Sequence, residues 1–254
     1  MFKHLIRLWS GFGKAAGQPQ EGLVSPAQWQ AAETRLPFLA HLDDGERQQL
    51  RTLALNFIQG KAWQGAQGLQ VSLEMQLEIA LQACVLILHR DPREYAGWEE
   101  IIIYPGDFII PRQEMDAAGV VHEFDDHVLG EAWDRGPVLL SWNEGSEQRN
   151  DGINVVIHEF AHKLDMANGS ANGLPYMPSA ARQQWVTAFE AAYIDFCRRV
   201  DSGEDTLIDP YAATAPAEFF AVLSEVFFET PALLRHSYPA VYTELVAFYG
   251  QTPL

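Results

Sequence analysis

The sequence predicts an α+β fold, and three observations predict it. Up to about residue 90 the apolar residues recur at helical spacing. Between residues 100 and 142 the chain breaks into short β-branched and aromatic runs bounded by Gly, Pro and Asp. Beyond residue 150 the helical spacing returns. A helical front part, then a small mixed sheet, then further helices is the chain order of segregated layers rather than of alternating strand and helix units. With 254 residues and 48% hydrophobic side chains, the chain has ample material for a packed core.

Residues 1–35 are expected to form a flexible N-terminal segment, and residues 36–254 a single domain. Met1–Trp9 is basic, and its apolar run is broken by Arg7, too short for a signal segment or a membrane span. Residues 14–28 are rich in Gly, Gln and Pro and read as a lead-in. Asp43-Asp44-Gly45-Glu46 resembles a capping box, followed by Leu50, Leu53, Ala54, Phe57 and Ile58 at helical spacing. A second helix is expected from Ser72, with Leu73, Leu77, Ala80, Leu81, Cys84, Val85 and Leu88 on one face. Glu100–Tyr104, Asp107–Ile110, Gly119–Phe124 and Pro137–Trp142 read as strands. A Gly/Asn/Pro-rich loop spans 166–179. A long amphipathic helix then turns Trp185, Phe189, Ala192, Tyr193 and Phe196 inward, and a last strong helix runs from Pro216 to Glu229, with Pro231 just past its end.

The sharpest local signal is His158-Glu159-Phe160-Ala161-His162, after the apolar run Ile153–Ile157. On a helix, residues four apart share a face, so both imidazoles reach one metal ion while the adjacent Glu lies near a metal-bound water. At this His and Glu content the pattern is expected by chance roughly 0.02 times in a chain of this length. His122 and His127 imitate it within His122-Glu123-Phe124-Asp125-Asp126-His127, but a five-residue separation serves neither a helix face nor a strand face, and they read as strand-end polar residues.

A catalytic zinc takes three protein ligands and keeps a position open. The variant with a third His six residues on is excluded, because Asn168 stands there and Asp165 occupies its Gly position. A carboxylate on a later helix is expected instead. Glu218 stands out because it opens the apolar run Glu218-Phe219-Phe220-Ala221-Val222-Leu223; Glu225, two turns on, is the alternative. Asp165 is placed for a hydrogen bond from a ligand imidazole. The strand Val138–Trp142 reads either as core or as a partner for an extended peptide.

His158-Glu159-Phe160-Ala161-His162-Lys163-Leu164-Asp165, Asp209-Pro210-Tyr211-Ala212-Ala213-Thr214 and Pro216-Ala217-Glu218 through Glu225 together resemble the Mlc titration factor A family, over most of residues 40–250. The resemblance implies a bacterial cytoplasmic zinc metallopeptidase of the gluzincin zincins, with a catalytic domain similar to that of anthrax lethal factor. It implies one Zn2+ held by His158, His162 and Glu218, with Glu159 as general base and Tyr211 as hydrogen-bond donor to the oxyanion. It further implies aminopeptidase-like activity on a peptide or protein substrate and binding of a transcriptional repressor, Mlc. The rival expectation is a regulatory protein-binding module whose zinc site is vestigial or structural. Glu159 separates the two, since a structural site needs no base.

The formal net charge of −17 repels phosphate backbones and anionic lipid, so direct nucleic-acid binding is not expected. The two cysteines, Cys84 and Cys197, lie in apolar helical stretches and read as small buried hydrophobes in a reducing, cytoplasmic compartment.

Overall fold

The helical front part begins earlier than the sequence pattern indicates. In the computed structural model, which describes residues 24–115, 121–142 and 152–254, helix α1 covers Pro26–Thr34. Ser25 and Gln28 close a capping box, Pro26 supplies the preset φ of a first turn, and Trp29 and Ala32 are buried. The expected flexible segment therefore does not extend over residues 26–34. A helix this short carries too few apolar positions to announce itself by periodicity, yet two buried side chains and a closed cap hold it in place.

Helix α2 (Asp44–Gly60) starts at the predicted box: Glu46 N–H donates to Asp43 Oδ1 at 2.8 Å, and Asp43 N–H donates back to Glu46 Oε2 at 2.9 Å. Such a cap contributes about 1 kcal/mol. Helix α3 (Leu73–Val85) is capped by Ser72 and nearly all buried beyond its first turn; Leu88, expected on its face, is buried beyond the helix end. Cys84 is buried and Cys197 only partly so; both are free thiols.

Six strands occur among the described residues: β1 (Ala62–Gly65), β2 (Glu100–Tyr104), β3 (Phe108–Met115), β4 (Val121–Val128), β5 (Gly130–Ala132) and β6 (Val138–Ser141). One mixed sheet has the order β1-β2-β6-β5, in which β1, β2 and β6 run parallel and β5 is antiparallel to β6. Strands β3 and β4 form a separate antiparallel pair. His122 and His127 are the second and the seventh of the eight residues of β4. Strands β1 and β5, too short to show alternation, are absent from the sequence expectation. Val138–Trp142 is not a peptide-binding edge: β6 is paired on both sides, by β2 and β5, and Val138, Leu139 and Leu140 are buried. Among the described residues the outer strand beside it is β5.

Helices α4 (Val155–Met166), α5 (Ser179–Asp201), α6 (Pro216–Glu229), α7 (Pro231–Ser237) and α8 (Pro239–Tyr249) complete the fold. Trp185, Phe189, Ala192 and Phe196 of α5 are buried as expected, while Tyr193 is half-buried. Helix α6 is buried almost all round, from Phe219 to Glu229, which is why its sequence is apolar on every side. It packs against α4, α7 and α8. No described helix is long and apolar enough to cross a membrane.

The back of α4 is fixed by aromatic rings. Phe160 lies 5.6 Å from Phe57, 5.3 Å from Tyr95 and 5.8 Å from Trp98, all centroid to centroid and tilted or edge-on. Each such pair contributes about 0.5–1.5 kcal/mol beyond the area it buries. Phe160→Ala is therefore expected to cost about 3–5 kcal/mol in denaturant-unfolding free energy. A loss below about 1 kcal/mol would show that this cluster does not anchor the helix.

Candidate metal centre

Two polar stripes meet inside this apolar core. At about 100° per residue, Asn154, His158, His162 and Asp165 fall on one face of α4, and Glu218, Glu225 and Glu229 fall within about 40° of one another on α6. The contacts run in opposite order along the two helices. Asn154 meets Glu225 and Glu229, His158 meets Glu225 and Glu218, and His162 meets Glu218.

Three donor atoms converge. His158 Nε2 and Glu218 Oε2 are 3.0 Å apart, His162 Nε2 and Glu218 Oε2 3.2 Å, and the two Nε2 atoms 3.1 Å. Among the described residues this is the one His/Cys/Asp/Glu group whose ligand atoms gather tightly enough for a metal ion. A tetrahedral ion with bonds of about 2.0–2.1 Å holds its donors about 3.3 Å apart, so the triangle has the right size.

Its chemistry also fits. Nδ1 of His158 faces Glu225 Oε1 at 2.7 Å, and an ionised carboxylate only accepts, so that nitrogen carries the hydrogen and Nε2 presents its lone pair to the triangle. Three lone-pair atoms facing one another require a cation or a proton among them. Without a metal a proton fills that need. Burial opposes the charged imidazole, but the Glu218 and Glu225 carboxylates outweigh it and push His158 up to about 10. Burial likewise opposes the charged Glu218, yet hydrogen bonds from both imidazoles hold it well below the usual carboxylate range.

Of the two carboxylates weighed as third ligand, the structure brings Glu218 to the triangle and places Glu225 behind His158 as its orienting acceptor. Asp165 departs from expectation. Its Oδ2 accepts the N–H groups of Asn172 and Gly173, each at 2.7 Å, which ties the 166–179 loop to the end of α4. Its Oδ1 and His162 Nδ1 are both buried without a hydrogen-bond partner among the described residues.

Glu159 is not part of the triangle. It is only 4% exposed, and burial pushes its carboxyl up to about 7 against the opposing pull of His158 and His162. It lies against the outer strand: a Cβ at Gly130 of β5 would sit 2.5 Å from Glu159 Oε1 and 2.7 Å from Val155 Cγ2. Lys163, also buried, donates to the Trp133 and Gly136 carbonyls at 2.7 and 3.1 Å and fastens the β5–β6 turn to α4. Tyr211 lies in a short 3-10 turn, Pro210–Ala213, with its ring half-exposed and 6.1 Å from the His158 ring.

The α+β fold carries a donor set compatible with a metal site, and the comparisons with known proteins point to a metallopeptidase family. The chain belongs to the family described as glucose-regulated metallo-peptidase M90, whose family model matches residues 14–250. It is 39% identical over 241 residues to Mlc titration factor A of Serratia proteamaculans, covering 93% of this chain and 91% of the relative. It is 37% identical over 243 residues to Mlc titration factor A of Yersinia pestis, covering 94% and 89%. An uncharacterized protein of Synechocystis is 39% identical over 236 residues, covering 90% and 86%.

Gly130 escapes a sequence reading because only its nearness to Glu159 gives it a role. Gly130→Ala forces either the Glu159 carboxylate or β5 to move, since a contact of 2.5 Å is not tolerated. The variant is expected to lose about 1–3 kcal/mol of stability in chemical denaturation. An unchanged unfolding midpoint would mean that the strand has slack at this point.

Proposed function

We propose that the chain is a zinc-dependent peptidase of the gluzincin type, aminopeptidase-like and cytoplasmic, that also docks a transcriptional repressor such as Mlc. The observation that carries the enzymatic reading is the triangle of donor atoms with a separate buried carboxylate beside it, next to the outer strand of the sheet. His158, His162 and Glu218 would hold the ion. Zinc, when bound, supplies Lewis-acid activation of water and of the scissile carbonyl. Glu159 takes the proton from the attacking water on its carboxylate and returns it to the leaving amine nitrogen. Its carboxyl, pushed up to about 7 by burial, is matched to that exchange. The half-exposed Tyr211 hydroxyl donates to the developing oxyanion. The outer edge of β5 holds an extended peptide by main-chain hydrogen bonds, with Gly130 leaving room for the base.

A regulatory module with a structural or vestigial metal site is the competing reading. Against it stands Glu159, since a buried carboxylate that serves no structural ligand role is costly. Zinc is expected to bind once per chain. His158→Ala should lose most of it in elemental analysis, whereas Glu159→Gln should retain it and lose peptide hydrolysis. Tyr211→Phe should retain zinc and lower kcat by roughly 10²–10³, as removal of one oxyanion donor does. A Glu159→Gln variant that cleaves at the wild-type rate would end the peptidase reading.

Repressor docking is supported by the names of the Serratia and Yersinia relatives and by the charge of −17, which suits the basic surface of a DNA-binding protein and not DNA itself. Such docking needs about 800 Å² per partner, more than a peptide cleft provides. Glu159→Gln is therefore expected to bind a purified Mlc-type repressor as tightly as wild type in a pull-down, and added salt to weaken both. Loss of binding in that variant would place the repressor in the cleft as a substrate.

A further inference from the structure

Asn154 spends every hydrogen-bonding group it has on the support of His158. Its side-chain Oδ1 accepts Ile157 N–H at 3.0 Å and caps α4. Its backbone N–H donates to Glu225 Oε2. The two hydrogens of Nδ2 go to Gln82 Oε1 of α3 at 2.7 Å and to Glu229 Oε1 of α6 at 2.8 Å. The other oxygen of Glu225 meets His158 Nδ1 at 2.7 Å, and His158 N–H returns to the Asn154 carbonyl at 2.9 Å. The loop closes on itself: helix cap, carboxylate and imidazole each fix the next.

The partners are buried, Gln82 at 8%, Glu225 at 4% and Glu229 at 9% exposed. Two buried carboxylates side by side need donors, and Asn154 gives one to each. The donor to Glu225 is the backbone N–H, so the side chain itself answers for the cap and for the two Nδ2 bonds. Asp would cap the helix but lacks the Nδ2 hydrogens and adds a third carboxylate. Ser would cap the helix and reach neither Glu229 nor Gln82. Ala removes the cap as well.

Resting on the metal-site reading above, we propose that Asn154 is a positioning residue for the ligand imidazole of His158, acting through Glu225, and that Gln82 holds Asn154 from the helical front part. Such partners behind a ligand change metal affinity by about 10–100-fold when removed. The test uses the full-length protein and zinc alone, with affinity measured by competition against a chromophoric chelator, so that it does not depend on turnover. Asn154→Ser keeps a capping hydroxyl and the backbone N–H that faces Glu225 but loses both Nδ2 tethers, to Gln82 and Glu229, that hold that N–H in place, and it is expected to weaken zinc by about 10-fold. Glu225→Gln should weaken it comparably, and the double variant should be no weaker than the worse single variant, because both act on one imidazole. Gln82→Met, which leaves α4 and α6 untouched, should show a smaller loss in the same direction. Metal-free thermal unfolding of each variant provides the control for a general loss of fold. Wild-type zinc affinity in Asn154→Ser, or fully additive losses in the double variant, would overturn this proposal and leave the metal site standing. A wild-type protein that binds no zinc would instead remove the metal-site reading and the proposal with it.

Discussion

The polar seam between α4 and α6 is the constraint on which the rest of the molecule depends. Imidazoles and carboxylates on buried faces are costly unless each finds a partner, and a seam of this kind survives only if two helices meet in one register. A shift of one residue along α6 would rotate Glu218, Glu225 and Glu229 by about 100° into Phe219, Phe220 and their apolar neighbours. The apolar sides of α6 prevent that shift. Val226, Phe227 and Phe228 are buried on its other faces, with Phe227 and Phe228 packed on Tyr249 of α8 at 5.5 and 5.1 Å. Hydrophobic packing therefore sets the register, and the register sets the chemistry.

The two sides of α4 divide the work. Its back is locked into a cluster of Phe57, Tyr95, Trp98 and Phe160, and two lysines close on the same tryptophan: Lys61 Nζ lies 3.4 Å and Lys163 Nζ 4.6 Å from the Trp98 ring centroid. Burial pushes Lys61 down to about 7 and Lys163 to about 8, while the carbonyls of Tyr95 and Trp98 accept from Lys61 and those of Trp133 and Gly136 from Lys163. These tethers join the end of α2 to the segment before β2, and α4 to the β5–β6 turn. Glu159 on this helix thus lies against β5, where Gly130 has no room for a Cβ.

Much of this was legible in the sequence, for identifiable reasons. The His158/His162 pair and the apolar run after Glu218 are dense local patterns, and the predicted bounds of α6, Pro216–Glu229, match those observed because Pro216 and Pro231 punctuate it. The capping box at Asp43 and the start of α3 at Ser72 were equally readable. β1, β5 and α1, of four, three and nine residues, were not, since none carries a dense apolar run. Nor was the choice between Glu218 and Glu225 decidable from spacing: seven residues put both on one face, and only the opposed run of α4 decides which meets the two Nε2 atoms. Asn154 lies within the apolar run before His158, but its cap and its reach to Gln82, 72 residues earlier, are properties of the fold.

Brevity at the sheet margins has a consequence for how copies of the chain behave toward one another. A bare strand edge is a template on which a second sheet can grow, and the usual protections are length, charge and interruption. Here both edges of the mixed sheet are short: β5 has three residues and β1 has four. The first ends in the sharp Trp133–Pro137 turn, with Arg135 at φ +51°, and the second ends at Gly65, where a side chain would run into the Leu69 carbonyl. An edge of three residues offers a flexible chain a foothold of two or three main-chain bonds, released as readily as made, while denying a rigid sheet the long register it needs. The same brevity denies a second copy of the chain a long strand to pair with.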